Sequence, residues 1–402
     1  MKVLLVGGGG REHAIGWKLA QSSRVDELTS LPGNPGLAEL GPTIEGIIPT
    51  DVGAVAAMAR LHGFDLVVIG PEGPLAGGLV DALTRLGIPS FGPTRAAARL
   101  ESSKSYAKEV MRRAGVPTAS STSFTDPEEA NSHLDRSDGP YVVKADGLAA
   151  GKGVLVTDSR DDAKSWAELW AEAGPVVIEE FLDGPEVSVF AVCSADGAVP
   201  LQPARDYKRL LDGDEGPNTG GMGSYSPVLD LPAGLVEQAM REVINPTAAQ
   251  MAEDGDPFTG FLYAGLALTG DGLKVVEFNV RLGDPETQAI LPRLDSDLLD
   301  LLEGGEPSWI ETSTVNVVLA SKGYPRSPER GAVVKGLEEI PDDVLVFHAG
   351  TRREGRKLFV DGGRVLNVVG TGDTLVQARE AAYSAARSIT WPGIHYRTDI
   401  AS

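Results

Sequence analysis

The chain has 402 residues, which suits roughly two to four structural units better than a single core. Its 42% apolar and 23% charged residues are typical of a globular protein, and no stretch approaches the roughly 18 uninterrupted apolar residues of a membrane span. We therefore expect no membrane as a partner, and because the net charge of -21 would repel a phosphate backbone, we expect no nucleic acid either.

The N-terminal part alternates strand-like apolar runs with helical stretches. Met1 leads directly into the first run without the apolar segment and cleavage site of a secretory signal, so we expect a cytoplasmic protein. Alternation of this kind predicts a doubly wound parallel sheet. The predicted elements are strands at Val3 to Val6 and Leu66 to Ile69 and helices at about Arg11 to Ala20 and Leu79 to Leu86.

A new helical pattern from Ser103 to Ala114 follows a cluster of turn residues, and we place a boundary near residue 101. The middle section is predicted to be antiparallel sheet with a packed helix, and the section from Val315 a smaller α+β unit ending in a helix near Leu375 to Ile389. The middle elements are strands at Val154 to Thr157, Val176 to Leu182, Glu186 to Cys193, Phe261 to Thr269 and Leu273 to Arg281, and a helix at Asp161 to Ala173.

A glycine-rich loop, Gly7 to Arg11, follows the first strand and opens a helix, so its amides can hold a phosphate group. The dinucleotide fingerprint G-x-G-x-x-G fails, because Glu12 or His13 stands at the third glycine position. A small phosphorylated ligand is therefore favoured over NAD, with a ligand-free turn as the simpler alternative. Glu72 follows the strand that ends near Gly70, which puts it at the ligand-binding edge of a parallel sheet.

The segment KADGLAAGKGV at 144 to 154 joins two strands through a flexible loop. It is not a P-loop, because only three residues separate Gly147 from Gly151 and Gly153 stands where Ser or Thr is needed. Lys144 on the strand and Lys152 in the loop favour a flap over nucleotide phosphates, whereas a plain hairpin turn is the alternative.

Two other segments are compatible with a ligand but also with simpler roles. The backbone of Glu179 to Leu182 can bind an adenine edge and a nearby carboxylate such as Glu186 can accept from ribose, although solvent-facing acids explain the pattern equally well. The loop Gly216 to Gly223 offers many amides and little bulk, as in loops that approach a ligand, although a surface loop has the same composition.

Glu277, Asn279 and Arg281 alternate on a predicted strand and should share one face. A carboxylate and an amide oxygen suit a hard cation such as Mg²⁺, and the arginine can clamp a carboxylate or phosphate. Half-exposed sheets show the same alternation, but the acidic turn Gly283 to Glu286 directly after the strand favours the metal site.

With these segments assembled, the chain resembles the phosphoribosylamine-glycine ligases, a family of the ATP-grasp superfamily, over nearly its whole length. The matching stretches are VGGGGREHA at 6 to 14, GPE at 70 to 72, KADGLAAGKGV at 144 to 154, EEFLDG at 179 to 184, GPNTGGMGSYSP at 216 to 227, TGFLYAGL at 259 to 266, EFNVRLGDPETQ at 277 to 288 and FHAGT at 347 to 351.

The resemblance implies a multi-domain α/β and α+β protein. It has an N-terminal doubly wound parallel-sheet (pre-ATP-grasp) domain at 1–101 and an ATP-grasp core at 102–305, with a mobile lid subdomain at about 118–190. A small C-terminal α+β domain follows at 306–402. The family is also expected to be monomeric.

The resemblance further implies the reaction of ATP, glycine and 5-phosphoribosylamine to glycinamide ribonucleotide, ADP and phosphate, through a glycyl-phosphate, in purine biosynthesis. Its implied metal ligands, for Mg²⁺ or Mn²⁺, are Glu277 and Asn279, and its implied catalytic residues are Arg281 and Lys144. The implied ATP-binding residues are Lys104, Lys144, Gly147, Gly151, Lys152, Gly153, Glu179, Glu180, Phe181, Leu182 and Glu186. The implied substrate-binding residues are Gly8, Gly9, Gly10, Arg11, Glu72, Asn218, Thr219, Gly220, Gly221, Arg281, Gly283 and Asp284.

Two positions depart from the family pattern, because Leu282 stands where many members carry Phe and Tyr207 where many carry His. Both departures concern the substrate pocket rather than the ATP chemistry. The nearest alternative function is another ATP-grasp carboxylate-amine ligase of purine metabolism, since the shared motifs do not fix the acceptor. A non-catalytic nucleotide-binding module and an NAD-dependent oxidoreductase are the alternatives from other classes.

Overall fold

The computed structural model of the chain describes residues 1–149 and 153–402. The described residues form sheets of two to five strands, and helices pack on the larger ones. Within the described residues, every helix is too short or too polar to cross a membrane.

The N-terminal unit is a four-stranded sheet whose order is β2-β1-β3-β4 and whose pairs are all parallel, as predicted. The central strand is buried along nearly its whole length because it is apolar from Val3 to Val6. The elements are β1 (Lys2–Gly7), α1 (Gly10–Leu19), β2 (Glu27–Pro32), α2 (Leu37–Leu40), α3 (Val52–His62), β3 (Leu66–Ile69), α4 (Glu72–Gly77), α5 (Leu79–Arg85) and β4 (Ser90–Phe91).

The next section forms a separate antiparallel sheet of order β5-β8-β6-β7 with its own small core, built around Leu134, Val143 and Ile178. This small core is separate from the larger apolar clusters of the described residues. The elements are α6 (Arg99–Ser102), α7 (Lys104–Ala114), β5 (Ser121–Phe124), α8 (Pro127–Arg136), β6 (Tyr141–Ala145), β7 (Val154–Thr157), α9 (Arg160–Ala171) and β8 (Val176–Glu179).

The body of the grasp section is an antiparallel sheet of order β10-β9-β15-β16. The elements are β9 (Glu186–Ser194), β10 (Gly197–Pro200), β11 (Arg205–Asp206), β12 (Arg209–Leu211), β13 (Glu215–Asn218), β14 (Gly223–Ser226), α10 (Leu235–Ala239), a π-helical turn (Met240–Ile244), α11 (Asn245–Glu253), β15 (Gly260–Thr269), β16 (Gly272–Asn279), α12 (Glu286–Ile290) and α13 (Leu298–Leu302).

Two predicted strands are longer than the observed ones. β16 ends at Asn279, so Arg281 lies beyond the strand, because Glu101 accepts a hydrogen bond from the Val280 amide and turns the chain out of the hairpin. β8 ends at Glu179, where its pairing with β5 ends.

The third unit is a five-stranded sheet of order β11-β14-β17-β22-β19, covered by the last helix. Two of its strands, β11 and β14, come from the grasp section, so the sheet crosses the predicted division at 305/306. The remaining elements are β17 (Ser313–Ala320), β18 (Val333–Val334), β19 (Leu345–His348), β20 (Thr351–Glu354), β21 (Lys357–Val360), β22 (Arg364–Gly372) and α14 (Leu375–Ser388).

A pair of buried histidines joins the first unit to the third. The amide of His348, at the end of β19, donates a 2.8 Å hydrogen bond to Nδ1 of His13 in α1, so this ring must be neutral there. Burial, with His348 nearby, lowers the pKa of His13 to about 3. Burial, with Arg353 nearby, lowers the pKa of His348 to about 4.

Acid should therefore destabilise the fold through these two histidines. Their folded-state pKa values lie below the ordinary 6.5. The stability that depends on the neutral rings is therefore complete above pH 6.5 and is lost as the pH falls toward 4 for His348 and toward 3 for His13. At about pH 5 each should cost about 2 kcal/mol of unfolding free energy relative to pH 7.5. Urea unfolding should show that His13→Gln loses about 2 kcal/mol less than the wild type over this interval.

His62→Gln is the matched control, because His62 is exposed at the end of α3 and should leave the pH dependence as it is in the wild type. If His13→Gln lost as much unfolding free energy between pH 7.5 and pH 5 as the wild type, the assignment of acid sensitivity to the buried pair would be wrong.

Candidate active site

The glycine loop lies between β1 and α1, and packing alone forbids side chains at several of its positions. A Cβ at Gly8 would lie 2.4 Å from the carbonyl oxygen of Gly33, and one at Gly10 would lie 2.2 Å from Nδ2 of Asn367. The amide of Gly9 donates to Oε2 of Glu12 at 2.7 Å, which caps the helix. The loop therefore combines a structural requirement for glycine with a helix N-terminus that faces the third unit.

Arg281 joins the first two units by contacting two carboxylates. Its Nε lies 3.2 Å from Oε2 of Glu72, and its Nη2 lies 2.9 Å from Oε1 of Glu101. Arg11 approaches the same Glu72 oxygen at 3.8 Å. Burial alone would raise the pKa of Glu72, but Arg281 and Arg11 outweigh it and lower the pKa to about 2. The carboxylate of Glu72 is therefore ionised, and the structure brings together four residues that are far apart in sequence.

The lysines predicted to bind ATP lie in the same cleft. Nζ of Lys144 is 2.9 Å from Oε2 of Glu179 and donates to the carbonyl of Val276, also at 2.9 Å. Nζ of Lys104 donates to the carbonyl of Gly147 at 3.0 Å, which ties α7 to the chain just after β6. Burial lowers the pKa of Lys104, and the neighbouring charge of Lys144 lowers it further, against the opposing effect of Glu277.

The segment predicted to bind adenosine is only partly free to do so. The carboxylate of Glu179 is buried and also contacts Lys108 at 3.3 Å, so its side chain is occupied by two lysines. The carboxylate of Glu180 accepts from the amide and hydroxyl of Ser120. The amide of Glu180 also donates to the carbonyl of Ser120 at 2.9 Å, whereas the ring of Phe181 is half-exposed. The predicted residues Gly151 and Lys152 lie outside the described residues.

Glu277 and Asn279 lie on β16 with their side chains on one face, opposite Gly265 and Tyr263 of β15. Burial alone would raise the pKa of Glu277, but Lys208, Lys144, Lys104 and Arg281 outweigh it and lower the pKa. An ionised carboxylate and an amide oxygen at this spacing fit a hard divalent cation. Within the described residues no group of three or more His, Cys, Asp and Glu side chains is placed to hold a metal ion.

Asp206 and Lys208, which the sequence motifs did not single out, lie in the same cleft. Nζ of Lys208 is 2.5 Å from Oε2 of Glu186, the predicted ribose ligand. Burial raises the pKa of Asp206 to about 7, and the carboxylates of Glu286 and Glu186 add to this effect while Lys208 opposes it. The signal available in the sequence was the alternation Asp-Tyr-Lys before the glycine-rich segment.

The third unit contributes Arg364 to the substrate side. Its Nη1 donates to the carbonyls of Gly220 at 2.5 Å and Asp284 at 2.6 Å, and its Nη2 lies 3.2 Å from Oδ2 of Asp284. That same Asp284 oxygen would be 3.6 Å from a Cβ at Gly9. The loops predicted to bind substrate, 8–10, 218–221 and 283–284, therefore meet around one carboxylate.

Other predicted substrate residues have structural partners. Asn218 accepts from Arg209, and the hydroxyl of Thr219 donates to the carbonyl of Lys208 while accepting from the Gly221 amide. A Cβ at Gly221 would lie 2.3 Å from Cδ of Pro285, and one at Gly283 would lie 2.4 Å from Oε2 of Glu286. These residues shape the loops that border the cleft.

The two departures from the family pattern point away from the cleft. The side chain of Leu282 is 2% exposed within the apolar core, and its carbonyl accepts from Arg11 and Arg281. The ring of Tyr207 packs against the core of the third unit. Both positions therefore act on the pocket only through the backbone.

Family models match almost the whole chain. The phosphoribosylglycinamide synthetase N domain matches residues 1–101, the ATP-grasp (A) domain residues 102–287 and the C domain residues 314–402. The phosphoribosylamine-glycine ligase of Streptomyces coelicolor is 49% identical over 415 residues, covering 100% of this chain and 99% of its own. The Rhizobium meliloti enzyme of the same name is 46% identical over 414 residues, covering 100% and 98%.

A solved structure agrees with the sequence relatives. The crystal structure of phosphoribosylamine-glycine ligase from Thermotoga maritima superposes with a TM-score of 0.86 at 38% identity and covers 100% of both chains. The arrangement of N-terminal, ATP-grasp and C-terminal units is thus shared along the full length. This chain belongs to the phosphoribosylamine-glycine ligase family of ATP-grasp enzymes.

Proposed function

We propose that this chain joins glycine to 5-phosphoribosylamine with ATP, giving glycinamide ribonucleotide, ADP and phosphate through a glycyl-phosphate in purine biosynthesis. The observation that carries the proposal is the meeting of two sets of groups at the end of β16. Lys104 and Lys144 lie on one side with Glu277, and Arg281 and Asp284 lie on the other. Full-length similarity to ligases of this name supports the choice of substrates.

In the first step the carboxylate of glycine attacks the γ-phosphorus of ATP, the bond to the β-phosphate oxygen breaks, and ADP leaves. Such a transfer needs positioning and charge neutralisation more than a protein nucleophile. Lys104 and Lys144 supply the charge, and residues 147–153 cover the phosphates. The adenosine contacts the backbone of 179–182, and Glu186 accepts from the ribose hydroxyls.

Glu277 and Asn279 would hold a divalent cation, Mg²⁺ or Mn²⁺. When bound, the cation neutralises charge on the phosphoryl group. The carboxylate of Glu277 is already ionised beside four cationic side chains, so it can bind a cation without first losing a proton.

In the second step the amine of phosphoribosylamine attacks the carbonyl carbon of the glycyl-phosphate, phosphate leaves with the electrons of the C–O bond, and the amine loses a proton. Gly8 to Gly10, Arg11 and Glu72 hold the phosphoribosylamine. Arg281 and Asp284 orient the glycyl group, and the loops 218–221 and 283–284 keep it against the amine. This proximity removes the orientational cost of joining two small substrates.

The proposed division of labour follows the domains 1–101, 102–305 and 306–402, with a lid at about 118–190 that moves during the cycle. A cytoplasmic monomer is the arrangement implied by the family resemblance. The net charge of -21 supports small-molecule substrates rather than a nucleic-acid partner.

The ligase function predicts that ADP forms only when glycine and phosphoribosylamine are both present with ATP and Mg²⁺. Glu277→Gln should lower this rate by about a hundredfold, because it removes the charge that holds the cation. Coupled ADP detection with each substrate omitted in turn measures both effects. Asp271→Asn is the control, because that exposed acid lies at the opposite end of the same hairpin.

ADP formation that does not depend on glycine, or that is equally fast with another amino acid, would contradict the assignment of glycine as the substrate. Full activity of Glu277→Gln would remove that residue from the cation site.

Arg281→Lys should lower kcat/KM for glycine by about a hundredfold while leaving the Kd of ATP within about twofold. Lysine keeps the charge, but it lacks the planar fork that reaches Glu72 and Glu101 at the same time. Steady-state kinetics at varied glycine and calorimetric titration with ATP separate the two effects.

Arg24→Lys is the matched control, because Arg24 also joins two carboxylates, Asp300 and Glu303, but on the exposed surface. It should have wild-type kinetics. An equal loss of ATP affinity in Arg281→Lys would mean that the arginine maintains the whole cleft instead of orienting glycine.

A further inference from the structure

The hairpin formed by β12 and β13 carries Lys208 at its start and the glycine-rich loop 218–221 at its end. The hairpin is small, since its two strands pair at Arg209 with Asn218 and at Leu211 with Glu215, with an irregularity between them. An isolated two-stranded hairpin is at best marginally stable in water. Something outside the hairpin must therefore fix its position.

The segment His395–Ala401, here called the tail segment, lies along this hairpin. We propose that the tail segment, through Arg397 and Tyr207, positions Lys208 for the ligation. This inference rests on the proposed ligase function, and Arg397 and Tyr207 are positioning residues in it because neither contacts the cleft.

Arg397 is the centre of the contact, with a side chain that is only 1% exposed. Its guanidinium donates to both carboxylate oxygens of Asp399 at 2.7 and 2.6 Å, to Oδ1 of Asp214 at 2.6 Å and to the carbonyl of Arg209 at 3.2 Å. Its Cζ also lies 4.8 Å from the centre of the Tyr207 ring. One buried arginine thus contacts both the beginning and the tip of the hairpin.

Backbone groups extend this contact along the hairpin. Nε2 of His395 lies 2.9 Å from the carbonyl of Leu210, and the amide of Thr398 donates to Oδ1 of Asp212 at 2.8 Å. The Gly213 amide donates to Oδ2 of Asp399 at 2.8 Å. The hairpin is therefore held at successive residues and not at a single point.

Tyr207 transmits this contact to the cleft. Its hydroxyl accepts from the amide of Ala401 at 2.9 Å, and its ring packs in the core of the third unit. Because side chains alternate along an extended segment, the neighbours Asp206 and Lys208 face the opposite side, where Nζ of Lys208 reaches Glu186 at 2.5 Å. The position of Tyr207 thus sets the distance of the Lys208 ammonium from the nucleotide side.

A displaced ammonium would weaken charge neutralisation during phosphoryl transfer more than it would weaken ATP binding. Lys104 donates to the carbonyl of Gly147 and Lys144 donates to the carbonyl of Val276, so the positions of these two ammonium groups do not depend on the hairpin. Loss of the tail contacts should therefore lower kcat and leave the Kd of ATP unchanged. A purely structural role would instead lower the folded fraction and leave kcat per folded enzyme as it is.

The test measures single-turnover ADP formation in Tyr207→Phe and Arg397→Ala, each alone and combined with Lys208→Met. Each single variant should lose about tenfold in rate with ATP affinity within about twofold, because small misplacements of charged groups have effects of at least this size. In the Lys208→Met background the same substitutions should change the rate by less than about twofold, since residues that act through one group are not additive.

Arg113→Lys is the matched control, because Arg113 forms a two-bond pair with Asp254 far from the hairpin. It should leave the rate unchanged in both backgrounds. The inference would be overturned if Tyr207→Phe and Arg397→Ala still lowered the rate about tenfold in the Lys208→Met background. It would also be overturned if both variants alone had the wild-type rate.

Hydrogen exchange separates this inference from the proposed function. In Arg397→Ala the amides of 207–218 should exchange at least about tenfold faster, while those of β15 and β16 keep their protection. Wild-type protection in the hairpin would overturn the inference even if the enzyme is a ligase. Absence of substrate-dependent ADP in the wild type would overturn the ligase function, and the exchange result would still decide whether the tail segment holds the hairpin.

Discussion

The guanidinium of Arg281 is the group on which the arrangement of the cleft depends. The side chain of Arg281 is only 17% exposed, and moving its charge out of water is costly unless that charge is paired. Here one partner, Glu72, comes from the first unit, and the other, Glu101, comes from the helix that joins the first two units. The electrostatic requirement of a single side chain therefore fixes how the parallel sheet meets the end of β16.

The loops predicted to bind substrate can approach each other closely because several of their positions are glycine. Around Asp284, the glycines at 9 and 220 have no side chain, which allows Arg364 and the glycine loop to reach one carboxylate. Elsewhere in the cleft, one carboxylate oxygen of Glu179 contacts the ammonium groups of Lys144 and Lys108. Charges of both signs are thus paired around Asp284 and around Glu179.

Local pattern was sufficient to predict the first unit, because the period and apolarity of β1 and β3 depend only on neighbouring residues. It was also sufficient for the family, since long motifs such as EFNVRLGDPETQ lie in order. Local pattern failed at Arg281, which was placed on a strand that ends two residues earlier. That end depends on Glu101, which is 179 residues away from Val280 in the chain. Asp206 and Lys208 were missed for the same reason, since only the folded sheets bring them to Glu186 and Glu277.

The five-stranded sheet of the third unit incorporates β11 and β14 from the grasp section. A fragment cut at 305 would keep β14 but lose β17, its neighbour along four residue pairs. The unpaired backbone groups of β14 would then form an exposed edge that recruits other chains. The boundary in the sequence is therefore not a place where the polypeptide can be divided, and modular exchange of the last unit between relatives would have to carry the segment 205–226 with it.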